Sequence, residues 1–117
     1  MIHYTNDMPV SERSFVMGGA GTYLSKEVFS KADVGGRARL FAVNTLPQGA
    51  SIGVHPHNGE GEAYLILQGE ATVTEDGQDY LLHAGDAEYC TDGHTHGIAN
   101  NAHEDLVFLA LIMVDRD

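Results

Sequence analysis

Two histidines and a carboxylate stand at metal-ligand spacing in Gly49–Gly69, GASIGVHPHNGEGEAYLILQG. Residues 50–54 have β character, and in a strand residues two apart point to the same face, about 6 to 7 Å apart along the backbone. The imidazoles of His55 and His57 can therefore converge on one ion. Asn58-Gly59-Glu60-Gly61 carries turn chemistry, after which Ala63–Leu67 reads as a second strand. A hairpin at this point sets Glu62, at the mouth of the second strand, beside the two histidines as a third ligand. Glu60 is its rival and reads as a solvated loop carboxylate. A His-x-His pair alone is more often a polar, half-exposed face, so a further ligand is required. Downstream, Gly85–Asn100 offers another strand, a Thr91-Asp92-Gly93 turn and then His96 as the fourth candidate. His94 lies across the Gly93 turn from regular strand geometry and reads as a mouth residue rather than a ligand.

These stretches resemble the two motifs of the cupin family. The first motif is a glycine, five residues, His-x-His, three or four residues, Glu, six residues and a glycine, and Gly49, His55, His57, Glu62 and Gly69 meet every position. The second is a glycine, five residues, Pro-x-Gly, two residues, His, three residues and Asn; Gly85, Gly93, His96 and Asn100 match it, and Thr91 replaces the proline. Thr-Asp-Gly still makes a turn, with less rigidity than proline would impose. The resemblance covers about residues 40 to 114. It implies an all-β double-stranded β-helix, or jelly-roll barrel, with a metal ion at His55, His57, Glu62 and His96. Family activities include those of decarboxylases, dioxygenases, isomerases and epimerases.

Three neutral imidazoles and one carboxylate around a divalent ion leave one net positive charge and, in an octahedral shell, two adjacent open positions. Such a mixed nitrogen and oxygen set suits one divalent transition metal ion per chain, manganese, iron, nickel, cobalt or zinc. The expected function is that of a small metal-dependent enzyme acting on a chelating carboxylic acid or sugar derivative. Two alternatives stand beside it, an oxalate decarboxylase-like activity and a non-catalytic metal or ligand-binding module. Tyr64 shares strand parity with Glu62 and should face the interior, where its hydroxyl is a candidate catalytic group or a satisfied core hydroxyl. Arg37 and Arg39 share a face and either anchor an anionic substrate or sit as exposed charges. Cys90 reads as a small buried hydrophobe, and His3, His83 and His103 as solvated residues.

The elements that must position these groups follow from composition and punctuation. At 117 residues and 43% hydrophobic content the chain has material for one core. Its net charge of −11 disfavours nucleic acid and anionic membranes as partners. No stretch approaches the roughly 18 apolar residues of a membrane span, so a cytoplasmic protein is expected. Residues 1–21 read as an N-terminal arm, loosely ordered with a possible helical turn at Pro9–Arg13, and residues 22–117 as the barrel domain. Within the barrel, short strands alternate with turns at Gln68-Gly69-Glu70, Glu75–Gln78, Ala84-Gly85-Asp86 and 100–105, each read as a hairpin. The closing strand Leu106–Val114 is apolar on both parities, as are Ala63, Leu65 and Leu67 opposite Glu62 and Tyr64. One face fills the barrel, and the other predicts a homodimer packed through a sheet face.

Overall fold

The computed structural model describes residues 1–115. Among these, ten strands form two antiparallel sheets: β1 (Val10–Ser14), β2 (Thr22–Glu27), β3 (Ala38–Leu46), β4 (Ser51–Pro56), β5 (Glu60–Gln68), β6 (Glu70–Glu75), β7 (Gln78–His83), β8 (Ala87–Cys90), β9 (Thr95–Ala99) and β10 (Leu106–Val114). One sheet has the order β1-β2-β3-β10-β5-β8, the other β4-β9-β6-β7. This is the all-β double-sheet barrel that the motifs imply.

The core lies between the sheets because the strands alternate. In β10, Leu106, Phe108 and Ala110 are buried in one cluster with Tyr64 and Ile66 of β5 and Val73 and Ile98 of the facing sheet, and Ile112, of the same parity, is buried opposite Glu62. The other parity of β10 and β5 faces outward. Leu65, Leu109 and Val43 are cross-strand neighbours there, and Leu24, Leu67, Tyr89 and Met113 are exposed on the same sheet. His3 and Phe29 cover only one end of this surface, where Phe29 packs edge-on against Phe41.

Several connections differ from the hairpins that the turn residues suggest. Of the turns read as hairpins, Glu75–Gln78 alone joins two paired strands, β6 and β7, through Asp76 and Gly77 with positive φ at both. The turns after β4, β5, β7 and β9 instead carry the chain from one sheet to the other. Turn chemistry dictates a reversal, but a reversal can close a barrel corner as readily as a hairpin.

The N-terminal arm is also more regular than its sequence suggests. Val10–Ser14 pairs antiparallel with β2 along its whole length and extends the six-stranded sheet, where a helical turn at Pro9–Arg13 was one expectation. VSERS holds a single apolar residue and shows no periodicity, so its strand state comes from the backbone edge that β2 offers. A 3₁₀ turn, Val16–Gly18, then docks on β4. That approach requires glycine: a Cβ on Gly53 would lie 2.1 Å from the Met17 carbonyl oxygen, and one on Gly19 2.2 Å from that of Ser51.

Candidate metal centre

Strand β4 delivers the first histidine through an irregularity. Ile52 pairs with Ile98, and His55 with His96, so the register shifts between Ile52 and His55. Ile52 and His55 are three residues apart and would face opposite sides of a regular strand; the bulge at Gly53-Val54 turns both inward. His57 follows just past the end of β4. Its backbone is bonded to the Thr91–His94 turn, with the His57 N–H donating to the His94 carbonyl (3.2 Å) and the Gly93 N–H to the His57 carbonyl (2.8 Å). Asp92 caps the Gly59 N–H at 2.8 Å. These bonds hold the two motif turns together at one end of the barrel.

Glu62 comes from the opposite sheet. Strands β4 and β5 do not pair, so Glu62 meets the histidines across the barrel interior instead of along a hairpin. Its Oε1 lies 3.0 Å from His57 Nε2, 2.9 Å from His96 Nε2 and 3.6 Å from His55 Nε2. All four side chains are buried, and one ligand atom from each lies within 4.8 Å of the others.

The outward nitrogens explain why the inward ones can serve as ligands. His55 Nδ1 donates to the Gly53 carbonyl at 2.7 Å, His57 Nδ1 to Glu60 and His96 Nδ1 to Glu88 at 2.9 Å. An acceptor at each Nδ1 fixes a proton there and leaves each Nε2 lone pair free to point at the centre. Two of those nitrogens, on His57 and His96, stand only 3.1 Å apart. Both protonated, they repel; both bare, they leave Glu62 without a donor from either; and a single proton between them serves only one of the two. A divalent cation at the centre resolves the conflict, so the donor set fits a bound metal.

Charge shifts in the metal-free cluster follow the same contacts. Burial pushes the Glu62 carboxyl up, but hydrogen bonds from His55, His57 and His96 outweigh it and hold the group well below the usual carboxylate range. Burial likewise lowers His96, yet hydrogen bonds to Glu62 and Glu88 raise it to about 9. Hydrogen bonding to Glu62, opposed by burial and aided by Glu60, holds His57 above its ordinary value.

A cavity of about 140 Å³ opens beside the cluster, lined in part by Arg13, Tyr23, Arg39, Asn44 and Tyr64. Tyr64 is inward, 1% exposed, and stacks on His96 with ring centroids 4.5 Å apart and planes 7° from parallel. Its hydroxyl has no hydrogen-bond partner of good geometry. Burial, with the charges of Glu62 and Glu88, raises it well above the ordinary tyrosine value, so it keeps its proton.

Other polar residues take places that sequence reasoning gave differently or missed. Glu60 is not a solvated loop carboxylate: it opens β5, accepts from His57 and is gripped by Arg39 through two bonds of 2.9 Å. Arg39 reaches it because the β3–β10 register skips Arg39 between the Leu40 and Ala38 pairs. Asn100 braces the barrel, donating to the Leu46 and Glu104 carbonyls and accepting from the Ala102 N–H. His94 is exposed and bonded to Asp76 at 2.7 Å. His83 is exposed beside Glu70, and His3 bonds the Val28 carbonyl. Cys90 is buried, its thiol pushed up to about 12 by burial, then by Glu88. Tyr23 and Asn44 face the cavity by strand parity, a signal present in the sequence, whereas Arg13 had none.

Residues 42–112 match the family model of the cupin domain. The chain belongs to the cupin family. This cupin is 37% identical over 114 residues to a Thermotoga maritima protein named oxalate-binding protein, covering 97% of this chain and 94% of the relative. It superposes with a TM-score of 0.94 on a Thermotoga maritima crystal structure described as a predicted oxalate decarboxylase, at 37% identity, covering 97% and 99% of the two chains. A putative sugar phosphate isomerase from Acidithiobacillus ferrooxidans is similar at TM-score 0.69 and 26% identity, over 79% of this cupin and 59% of that chain.

Proposed function

We propose that this cupin holds one divalent transition metal ion through His55, His57, Glu62 and His96 and acts on a small chelating carboxylic acid, oxalate being the simplest. The observation that carries this reading is the convergence of three histidine Nε2 atoms and one carboxylate on a common centre beside a small cavity. A bound ion would polarise a chelated carboxylate or carbonyl and stabilise negative charge developing on it; manganese, iron, nickel, cobalt and zinc all accept this donor set. The chain's own residues do the rest. Glu60, Glu88 and the Gly53 carbonyl orient the imidazoles, while Leu40, Ile52 and Ile112 supply apolar wall that limits water. Tyr64 offers a retained proton from inside the barrel.

Oxalate decarboxylation is one reaction the site could run: oxalate dianion plus a proton gives formate and carbon dioxide, with the carbon–carbon bond broken and a carbon–hydrogen bond formed. On this reading Tyr64, which lines the cavity, supplies that proton. The name of the Thermotoga maritima relative, oxalate-binding protein, favours a second reading, a module that binds without turnover. Incubating the metal-loaded chain with oxalate and following formate and carbon dioxide decides between them. Turnover that Tyr64→Phe abolishes supports the decarboxylase; saturable binding without product supports the module; neither binding nor turnover removes oxalate from the reading.

The same reading includes a homodimer formed through the outer face of the six-stranded sheet. β1 extends the edge of that sheet and leaves the apolar strip of β3, β10 and β5 largely uncovered. Apolar strips of this kind favour self-association. Among the described residues no helix is long and apolar enough to cross a membrane.

A further inference from the structure

We infer that Arg13, brought to the cavity by the N-terminal strand, is the residue that selects an anionic carboxylate ligand, with the Asn44 amide and the Tyr64 hydroxyl completing its polar recess. This inference rests on the carboxylate reading above and adds the residues that would enforce it.

The placement follows from register. Arg13 lies directly opposite Tyr23 in the β1–β2 pair, and directly opposed residues share a face. Tyr23 is 4% exposed and lines the cavity, so Arg13 is turned to the same side and lines it too. Among the described residues Arg13 has no ion pair and no side-chain hydrogen bond, whereas Arg39, the other arginine at this cavity, has both guanidinium bonds committed to Glu60. The cavity therefore has one uncommitted cation.

Two buried polar groups point to a ligand independently of that charge. Asn44 is 2% exposed and Tyr64 1% exposed; both line the cavity, Asn44 Oδ1 has no partner, and the Tyr64 hydroxyl, close to the Glu62 carboxylate, has no hydrogen bond of good geometry. Buried groups left unpaired cost free energy that a bound molecule recovers. The Tyr64 hydroxyl donates to a carboxylate oxygen, and the Asn44 amide presents a carbonyl to a ligand hydroxyl or, rotated, an N–H to a second oxygen. A guanidinium fork beside them matches a carboxylate. The volume, about 140 Å³, suits a short acid. A dicarboxylate, 2-oxo acid or 2-hydroxy acid of two to four carbons meets all three demands.

Whole-molecule electrostatics explain why such a cation matters. The chain carries a net charge of −11 and repels anions at long range. Of the acidic groups, Glu60 and Glu62 lie at the cavity wall, Glu60 already paired with Arg39. Arg13 lies on β1, outside residues 42–112 that the family model matches.

The test is calorimetric binding of oxalate, glycolate and the neutral glycolamide to metal-loaded wild type, Arg13→Ala and Arg13→Lys, with metal content measured for each. Arg13→Ala should weaken oxalate and glycolate by about 10- to 100-fold, leave glycolamide within about twofold and keep its metal; Arg13→Lys should recover part of the loss. Equal oxalate affinity in Arg13→Ala and wild type overturns the inference, as does equal weakening of charged and neutral ligands. Should Arg13→Ala fail to fold, Arg13→Gln carries the same expectation with more of the side chain retained. A wild-type chain that holds metal but binds neither acid refutes the carboxylate reading itself, an outcome separate from any comparison of variants.

Discussion

Removing the Glu60 carboxylate should weaken metal binding although Glu60 donates nothing to the metal. Its carboxylate accepts the His57 Nδ1 proton and is held in turn by two 2.9 Å bonds from Arg39. Metal ligation through His57 Nε2 requires that proton to stay on Nδ1. In Glu60→Ala the ring is buried, at 3% exposure, and its Nδ1–H loses its acceptor. An unsatisfied buried donor costs about 1 to 3 kcal/mol. The metal-free ring can escape that cost by shifting its proton to Nε2, beside Glu62, so the penalty falls on the loaded state. Metal affinity should then drop about 10- to 100-fold, or roughly 1.4 to 2.7 kcal/mol. Arg39→Ala should cost less, because Arg39 acts only through Glu60 and is half exposed. Competition against a chromophoric chelator at pH 7.5 gives the affinities. A Glu60→Ala affinity within about twofold of wild type, while His57→Ala loses the metal, would refute the orienting role.

Metal affinity should rise with pH toward about 9, the value to which Glu62 and Glu88 lift His96, because binding must expel that proton and the one on His57; calorimetry in buffers of different ionisation enthalpy should show proton release, and none at pH 7 would contradict it. Metal-free stability should run the other way. The raised histidines stabilise the fold fully below about 6.5 and lose that contribution as pH climbs through their folded values, whereas Glu62 and Glu60, both lowered, protect it above about 4.3 and fail as pH falls. Melting curves in chelator should therefore decline between pH 7 and 9. Leu109→Glu, on the outer sheet face, should dissociate the dimer, and a light-scattering mass near the 12.6 kDa of one chain for the wild type would remove the dimer altogether. Phe108→Ala, fully buried against Tyr64, should cost about 3 to 5 kcal/mol in chemical denaturation.

Spacing made His55, His57 and His96 candidates, and the match to the two family motifs joined them with Glu62 as a group, although the hairpin expected to bring Glu62 to the histidines is a crossing between sheets. The face assignment of β5 was legible, since Tyr64 and Glu62 share parity and Leu65 opposes it, whereas β10 is apolar on both parities and its inward face, Leu106, Phe108, Ala110 and Ile112, is set by its pairing with β3 and β5. Less legible were features set by tertiary contact. The Gly53-Val54 bulge that turns both Ile52 and His55 inward has no composition signal apart from the glycine, and that glycine also serves the close approach of Met17. Glu60 reads as a turn carboxylate until a skipped residue in the β3–β10 register brings Arg39 to it. The strand Val10–Ser14 is exposed throughout, so no alternation announces it, and with it the cavity position of Arg13 stayed hidden.

The central claim is a metal held by three histidines and one glutamate, and elemental analysis of the chain after reconstitution and desalting tests it most directly. One divalent transition metal ion per chain is expected for wild type, with most of it lost in His57→Ala and in His96→Ala while the circular dichroism of the barrel persists. A wild-type chain that retains no metal, or alanine variants that retain as much as wild type, would contradict the assignment.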